Sequence, residues 1–206
     1  MRNIEKLQTL LPLGYIFLVI LGIIKESIYY YQLGINITPY SSIMDILISP
    51  IATITSHPIF MICIILIFIL HYKLPKLLVK YHHKEWVQKT FELKNTSIEK
   101  KSLLSEDEIT NEYILISIKT LCSILISLFL GFGIGGGYFL SKKIERNELK
   151  YNYKLNYNDS KSENVYIIGT NTSYYFYLTE GSSTVKIAPV ASIRNLEIIK
   201  NKMLTK

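Results

Sequence analysis

Cysteine is nearly absent. The 206 residues hold only Cys63 and Cys122, each inside an apolar run. That excludes a disulfide framework and any CxxC motif, so the thiols say nothing about compartment. Histidine is also sparse, with His57, His71, His82 and His83. His82 and His83 are adjacent and would point about 100° apart on a helix, whereas a metal pair needs i,i+3 or i,i+4 spacing and a third ligand. No Ser/His/Asp, Cys/His or paired-carboxylate constellation stands out. The pattern argues against an enzyme, and no metal or cofactor is expected. A cleavable leader is not expected either. Arg2 and Lys6 precede an apolar run, but that run ends in Gly22-Ile-Ile-Lys25-Glu26 without a small-x-small site, which fits a retained signal anchor. Acids are in deficit: 16 Asp and Glu against 23 Lys and Arg, for a net charge of +7. The excess lysines flank the apolar runs, where anionic headgroups and the positive-inside rule account for them. Nucleic acid is therefore not an expected partner.

Apolar residues are abundant and clumped. They make up 49% of the chain, with a mean hydropathy of +0.24. A soluble core would spread them at period 2 or 3.6. Here three long runs separate unusually polar segments, and the expected fold class is membrane α-helical with a small C-terminal all-β domain. Residues 1–79 hold two transmembrane helices, with an amphipathic segment at 42–56 between them. Residues 80–112 form a polar, partly helical connection, and 113–141 form a third transmembrane helix. A basic juxtamembrane linker at 142–150 leads to the β domain at 151–206.

The third run is the clearest. From Thr120 to Leu140 there is no charge across 21 residues. At about 1.5 Å per residue that crosses a hydrocarbon core of about 30 Å. In the first run, Leu10–Ile24 continues through Lys25 and Glu26 to three tyrosines placed for an aromatic belt. Gly34 and Pro39 then break the helix, and Ser41 or Ser42 is placed to cap the next one. That next segment carries Ser42, Asp45, Ser49, Thr53 and Ser56 on one face, and reads as interfacial or re-entrant. His57-Pro58 restarts the chain into a very apolar run, Ile59–Tyr72, with a lysine-rich exit. Trp86 and Phe91 suggest contact with the membrane surface. Ser105 and Glu108 have capping-box spacing ahead of the third span.

The tail changes period. Tyr151, Tyr153, Leu155 and Tyr157 alternate with Asn152, Lys154, Asn156 and Asn158, which is strand spacing. Further short strands are expected at 164–168, 173–178, 184–190 and 193–199, separated by Asn/Asp/Gly/Ser turns. Five strands in so few residues suggest a barrel or sheet of SH3-like or Sm-like size. Its core would be thin, and tethering to a membrane would help it.

Four sets of residues stand out. Ser123, Ser127, Gly131 and Gly135 recur at steps of four, and Gly133 and Gly137 repeat the step, which marks a helix-packing face within the chain or between copies. The accidental GxGxxG match at Gly131–Gly136 lies inside an apolar span, not between a strand and a helix. Lys25, Glu26, Asp45 and Lys119 are candidates for an intramembrane polar site, against the plainer reading of snorkelling and mutual pairing. Lys142, Lys143, Arg146, Lys150 and Lys154 form a basic collar suited to anionic lipid. Sidedness cues conflict. Lysines around the connection place 80–112 in the cytoplasm, while the acids before the third span and the bases after it argue the reverse.

The segment from Tyr31 to Asp45, YQLGINITPYSSIMD, resembles one that recurs in uncharacterised multi-span bacterial inner-membrane proteins. The layout of a few spans plus a small β domain is similar to membrane-embedded effectors of antiphage systems. The resemblance implies a cell inner membrane location and, by layout alone, a role in antiviral defence. The expected activity is non-enzymatic: anchoring and homo-oligomerising through the spans, and presenting the β domain to a protein partner or ligand. A membrane-disrupting effector and a small transporter or channel component are the alternatives.

Overall fold

The computed structural model describes residues 2–81, 84–91 and 106–199, and the side chains from 11 to 81, 84 to 91 and 112 to 199. The adjacent His82 and His83, and the Ser105 end of the Ser105–Glu108 capping box, lie outside the described residues.

Helices follow the apolar runs: α1 (Arg2–Tyr31), α2 (Ile43–Ser56), α3 (Pro58–Tyr81), α4 (Glu85–Thr90) and α5 (Glu106–Glu145). Three stretches are long and apolar enough to cross a membrane, Leu11–Tyr31, Pro58–Tyr81 and Glu112–Glu145. Their outward side chains are themselves apolar; Ile59 is 81% exposed and Phe139 66%. Apolar surface of that extent is suited to contact with lipid or with another apolar surface. At 14 residues, α2 is about 21 Å long, short of the hydrocarbon thickness. The third helix does not stop at residue 141. It runs on to Glu145, so Lys142 and Lys143 sit in its last turn, where cations favour the helix dipole. Asn147, at φ 58°, then takes the left-handed position that ends it.

The chain forms two compact units, Met1–Ile51 with Phe129–Lys206, and Ala52–Leu128. In the second, Leu78, Val87 and Tyr113 form a small core with Leu74, Phe91 and Ile116 around it. Trp86 faces outward beside it, 60% exposed. The Ser117 hydroxyl donates to the His71 carbonyl at 2.8 Å.

The first unit holds the sheet. Its strands are β1 (Tyr153–Tyr157), β2 (Ser162–Thr170), β3 (Tyr174–Thr179), β4 (Val185–Pro189) and β5 (Ile193–Ile198), in spatial order β4-β3-β2-β1-β5, with every neighbouring pair antiparallel. A flat sheet of five strands would put β4 and β5 about 19 Å apart. A three-residue 3-10 turn, Val190–Ser192, joins them, and its rise is only about 2 Å per residue. The sheet must therefore curl toward a barrel. Its inner face packs Leu155, Val165, Tyr177 and Ala188, with Ile193 and Leu196 from β5. Its outer face is covered as well: Ile168, Phe176 and Leu178 pack with Tyr30, Ile35, Ile37 and Leu140. This explains why β3 reads as a continuous apolar run. Phe176, Tyr177 and Leu178 point alternately to opposite faces, yet all are buried.

Candidate functional site

The outer-face core is a dock between the β domain and the C-terminal end of α1. Tyr30 packs on Phe176 with ring centroids 5.0 Å apart, and Tyr40 meets Tyr174 edge-on at 5.4 Å. A register shift between Ile167 and Gly169 leaves Ile168 as an extra residue in β2. Such a bulge re-aims the strand. Here Ile168 enters the dock and its carbonyl accepts from the Tyr29 hydroxyl at 3.3 Å. Gly169 next to it lets the Tyr30 hydroxyl approach to where a Cβ would stand.

Polar bonds fasten the turn between β2 and β3. The Asn171 amide donates to the Tyr40 carbonyl at 2.9 Å. The Asp45 carboxylate accepts from the Thr172 backbone N–H and hydroxyl, both at 3.1 Å. The same carboxylate closes a capping box on α2. It accepts from the Ser42 N–H at 2.9 Å, while the Ser42 hydroxyl oxygen accepts from the Asp45 N–H at 3.1 Å. Partial burial pushes the Asp45 carboxyl up, but the bonds from Ser42 and Thr172 outweigh it and hold the carboxyl below its ordinary value. The sign follows: this stabilisation is complete above the ordinary carboxylate pKa of about 4 and is lost as pH falls through the depressed native value. We expect Asp45→Asn to weaken the dock by about 1–2 kcal/mol at neutral pH and to flatten its acid sensitivity. Hydrogen exchange of β2 and β3 amides at pH 7 and pH 3.5 reads both effects.

Glycines set the helix contacts below the dock. Pro50 has no N–H for the Ile46 carbonyl, and that oxygen points at the bare Cα of Gly22, where α2 crosses α1. On α5, a Cβ at Gly133 would stand 2.8 Å from the Lys25 carbonyl, and one at Gly137 2.8 Å from the Tyr29 carbonyl. Gly136 lies on the Tyr29 ring. The Gln32 amide reaches across to the carbonyls of Gly133 and Ile134, at 3.2 and 3.1 Å. The stepped small residues thus divide. Gly133 and Gly137 meet α1, with Gly136. Gly131 has nothing within 4 Å, and Gly135 meets only Phe139 of its own helix. Ser123 and Ser127 are exposed, the Ser127 hydroxyl donating to the Ser123 carbonyl.

The four candidate intramembrane ionisable residues divide too. Lys25 donates to Glu26 at 2.6 Å and to Ser49 at 3.2 Å, and Ser49 also donates to Glu26, which closes a polar triad between α1 and α2. Asp45 belongs to the dock. Lys119 is exposed on α5. The basic collar divides likewise: Lys142 pairs with Glu145 at 2.7 Å, Lys143, Arg146 and Lys150 are exposed, and Lys154 lies in β1. His71, buried in the middle of α3, donates from Nδ1 to the Ile67 carbonyl at 2.9 Å, and its Nε2 has no partner among the described residues.

A second polar network crosses four strands at the far end of the barrel. Glu163 accepts from Lys186 at 2.9 Å and from the Tyr157 hydroxyl at 2.8 Å. The Tyr157 proton is thereby committed, so Tyr177 donates to Tyr157 at 2.6 Å. Burial pushes Glu163 up, but Lys186 and Tyr157 hold it below its ordinary value; burial, with Tyr177 and Glu163, pushes Tyr157 up.

Of the two serines expected to cap α2, Ser42 makes the cap bonds; Gly133 and Gly137 lie against α1, together with Gly136, and Gly22 and Thr172 make contacts that the sequence does not single out. Gly22 has a local signal, a lone glycine inside a helical pattern. Against protein-family models, curated proteins and solved structures, the chain finds no match.

Proposed function

We propose that the protein is a non-enzymatic integral membrane protein of the bacterial inner membrane, whose spans hold a small β domain at the membrane surface for binding a partner or ligand. The observation carrying this reading is the asymmetry of the β domain. One face and the β2–β3 turn are fastened to the end of the first span, while the opposite end carries polar side chains open to solvent. Copies associate through the open face at Gly131 and Gly135, where small residues allow close helix approach. The connection 80–112 lies in the cytoplasm and the β domain on the other side.

The test combines alkaline extraction with cysteine labelling in a chain whose native cysteines are serine. The protein should stay with the membrane pellet, and Ser183→Cys should react with an impermeant maleimide in spheroplasts where Ser97→Cys does not. Release into the supernatant would end the reading, and the reverse labelling would invert its orientation. A pore or transport role has one observation in its favour, the Lys25–Glu26–Ser49 triad inside an apolar region. Induced expression that collapses membrane potential, abolished by Glu26→Gln, would favour that role over the anchor.

A further inference from the structure

The far end of the β domain carries an open, polar groove of about 340 Å³. It is built by the turn between β1 and β2 and by β5. The β1–β5 register pairs Asn156 with Asn195 and Tyr157 with Ile193, so Arg194 is an extra residue with no partner opposite. The sequence shows the consequence: Ile193 and Leu196 are three apart yet both face the barrel core. The bulge turns Arg194 outward to line the groove, and its guanidinium makes no hydrogen bond or ion pair among the described residues. An exposed guanidinium aimed by a bulge and free of protein partners is a fork of donors suited to phosphate.

The other walls fit that ligand. Lys161 lines the groove and is tied to Asp159 at 3.0 Å, both side chains being exposed. Ser160 takes a left-handed conformation, φ 66°, that shapes the turn. Ser162 donates to Asn156 at 2.6 Å, and Asn156 donates to Glu197 at 2.5 Å. Asp159 holds the Lys161 charge and Glu197 is the lining acid, which leaves the Arg194 guanidinium as the lining cation without a protein partner among the described residues. The Glu197 carboxylate keeps acceptor capacity beyond its Asn156 bond, which suits a ligand hydroxyl beside the phosphate.

Position selects the source. The nine residues of β2 rise about 27 Å between this turn and the Asn171–Thr172 turn that is fastened to Tyr40 and Asp45. The groove therefore opens at the end of the domain remote from the α1–α2 loop. We propose that it binds a soluble, hydroxylated phosphate monoester. The proposal rests on the β domain being the binding module of a membrane anchor, and gives that module its ligand class.

The experiment uses the full chain in phosphatidylcholine nanodiscs, titrated with glycerol 3-phosphate by calorimetry. Saturable binding is expected. Arg194→Ala should weaken it about tenfold or more, the loss of one charged hydrogen-bonding group. Lys161→Gln, on an exposed turn, should weaken it less, and glycerol should not compete. Hydrogen exchange of β1 and β5 checks that each variant is folded. Absence of saturable binding, or equal binding by folded Arg194→Ala, overturns the proposal. So does binding that appears only when the phosphate is presented as phosphatidic acid in the nanodisc. Any of these outcomes leaves the membrane anchor standing, since that reading is tested by extraction and labelling.

Discussion

Phe176→Ala is expected to undo the dock. Phe176 has no exposed surface and touches both Tyr30 and Tyr40. Truncating a buried phenylalanine costs about 3–5 kcal/mol, through lost transfer energy and the cavity left behind. A β domain of five short strands has little stability to spare. Its inner core, Leu155, Val165 and Tyr177, does not include Phe176. The loss should therefore fall first on docking and then on the sheet. In hydrogen exchange, amides of Tyr174–Thr179 should lose protection most, while the α3–α4 core at Leu78 and Val87 keeps its own. Uniform loss across both units would show that the dock is not a separable contact.

The second large effect belongs to glycine. Leucine at Gly22 would drive a side chain into the Ile46 carbonyl, and at Gly133 into the Lys25 carbonyl; both obstacles are backbone, which cannot swing aside. Overpacking of this kind costs about 1–3 kcal/mol, and more where backbone must move. Gly14→Leu and Gly131→Leu add the same side chain where nothing lies within 4 Å. We expect Gly22→Leu and Gly133→Leu to lower the thermal midpoint of the detergent-solubilised protein sharply, with Gly14→Leu leaving it unchanged. Gly131→Leu should keep the midpoint and reduce the oligomer seen by light scattering. Equal effects at all four positions would contradict this division of the glycines.

These glycines show where sequence reasoning reaches and where it stops. The step of four reveals a face able to pack, because small residues recurring on a helix admit another backbone. It cannot show which step meets a partner: Gly131 and Gly133 look alike in sequence, and only the position of α1 separates them. The strands were more legible, since alternation in β1 and the turn residues between strands are local signals. β3 broke alternation because both its faces are covered, a tertiary fact. Asp45 was visible as a charge on an apolar helix, but its partner Thr172 lies 127 residues away, and nothing local joins them. Arg194 was legible in principle. The three-residue spacing from Ile193 to Leu196 breaks a period of two, and a bulge is the ordinary way for a strand to absorb that break.

The β domain is fastened to the end of α1 beside α2. Thiol cross-linking of Asp45→Cys with Thr172→Cys, in membranes and with Cys63 and Cys122 replaced by serine, measures that directly. A short bifunctional reagent should join the pair rapidly and in high yield, and Phe176→Ala in the same background should abolish the product. Failure of the intact pair to cross-link, with both thiols accessible to single-ended reagent, would contradict the docked arrangement.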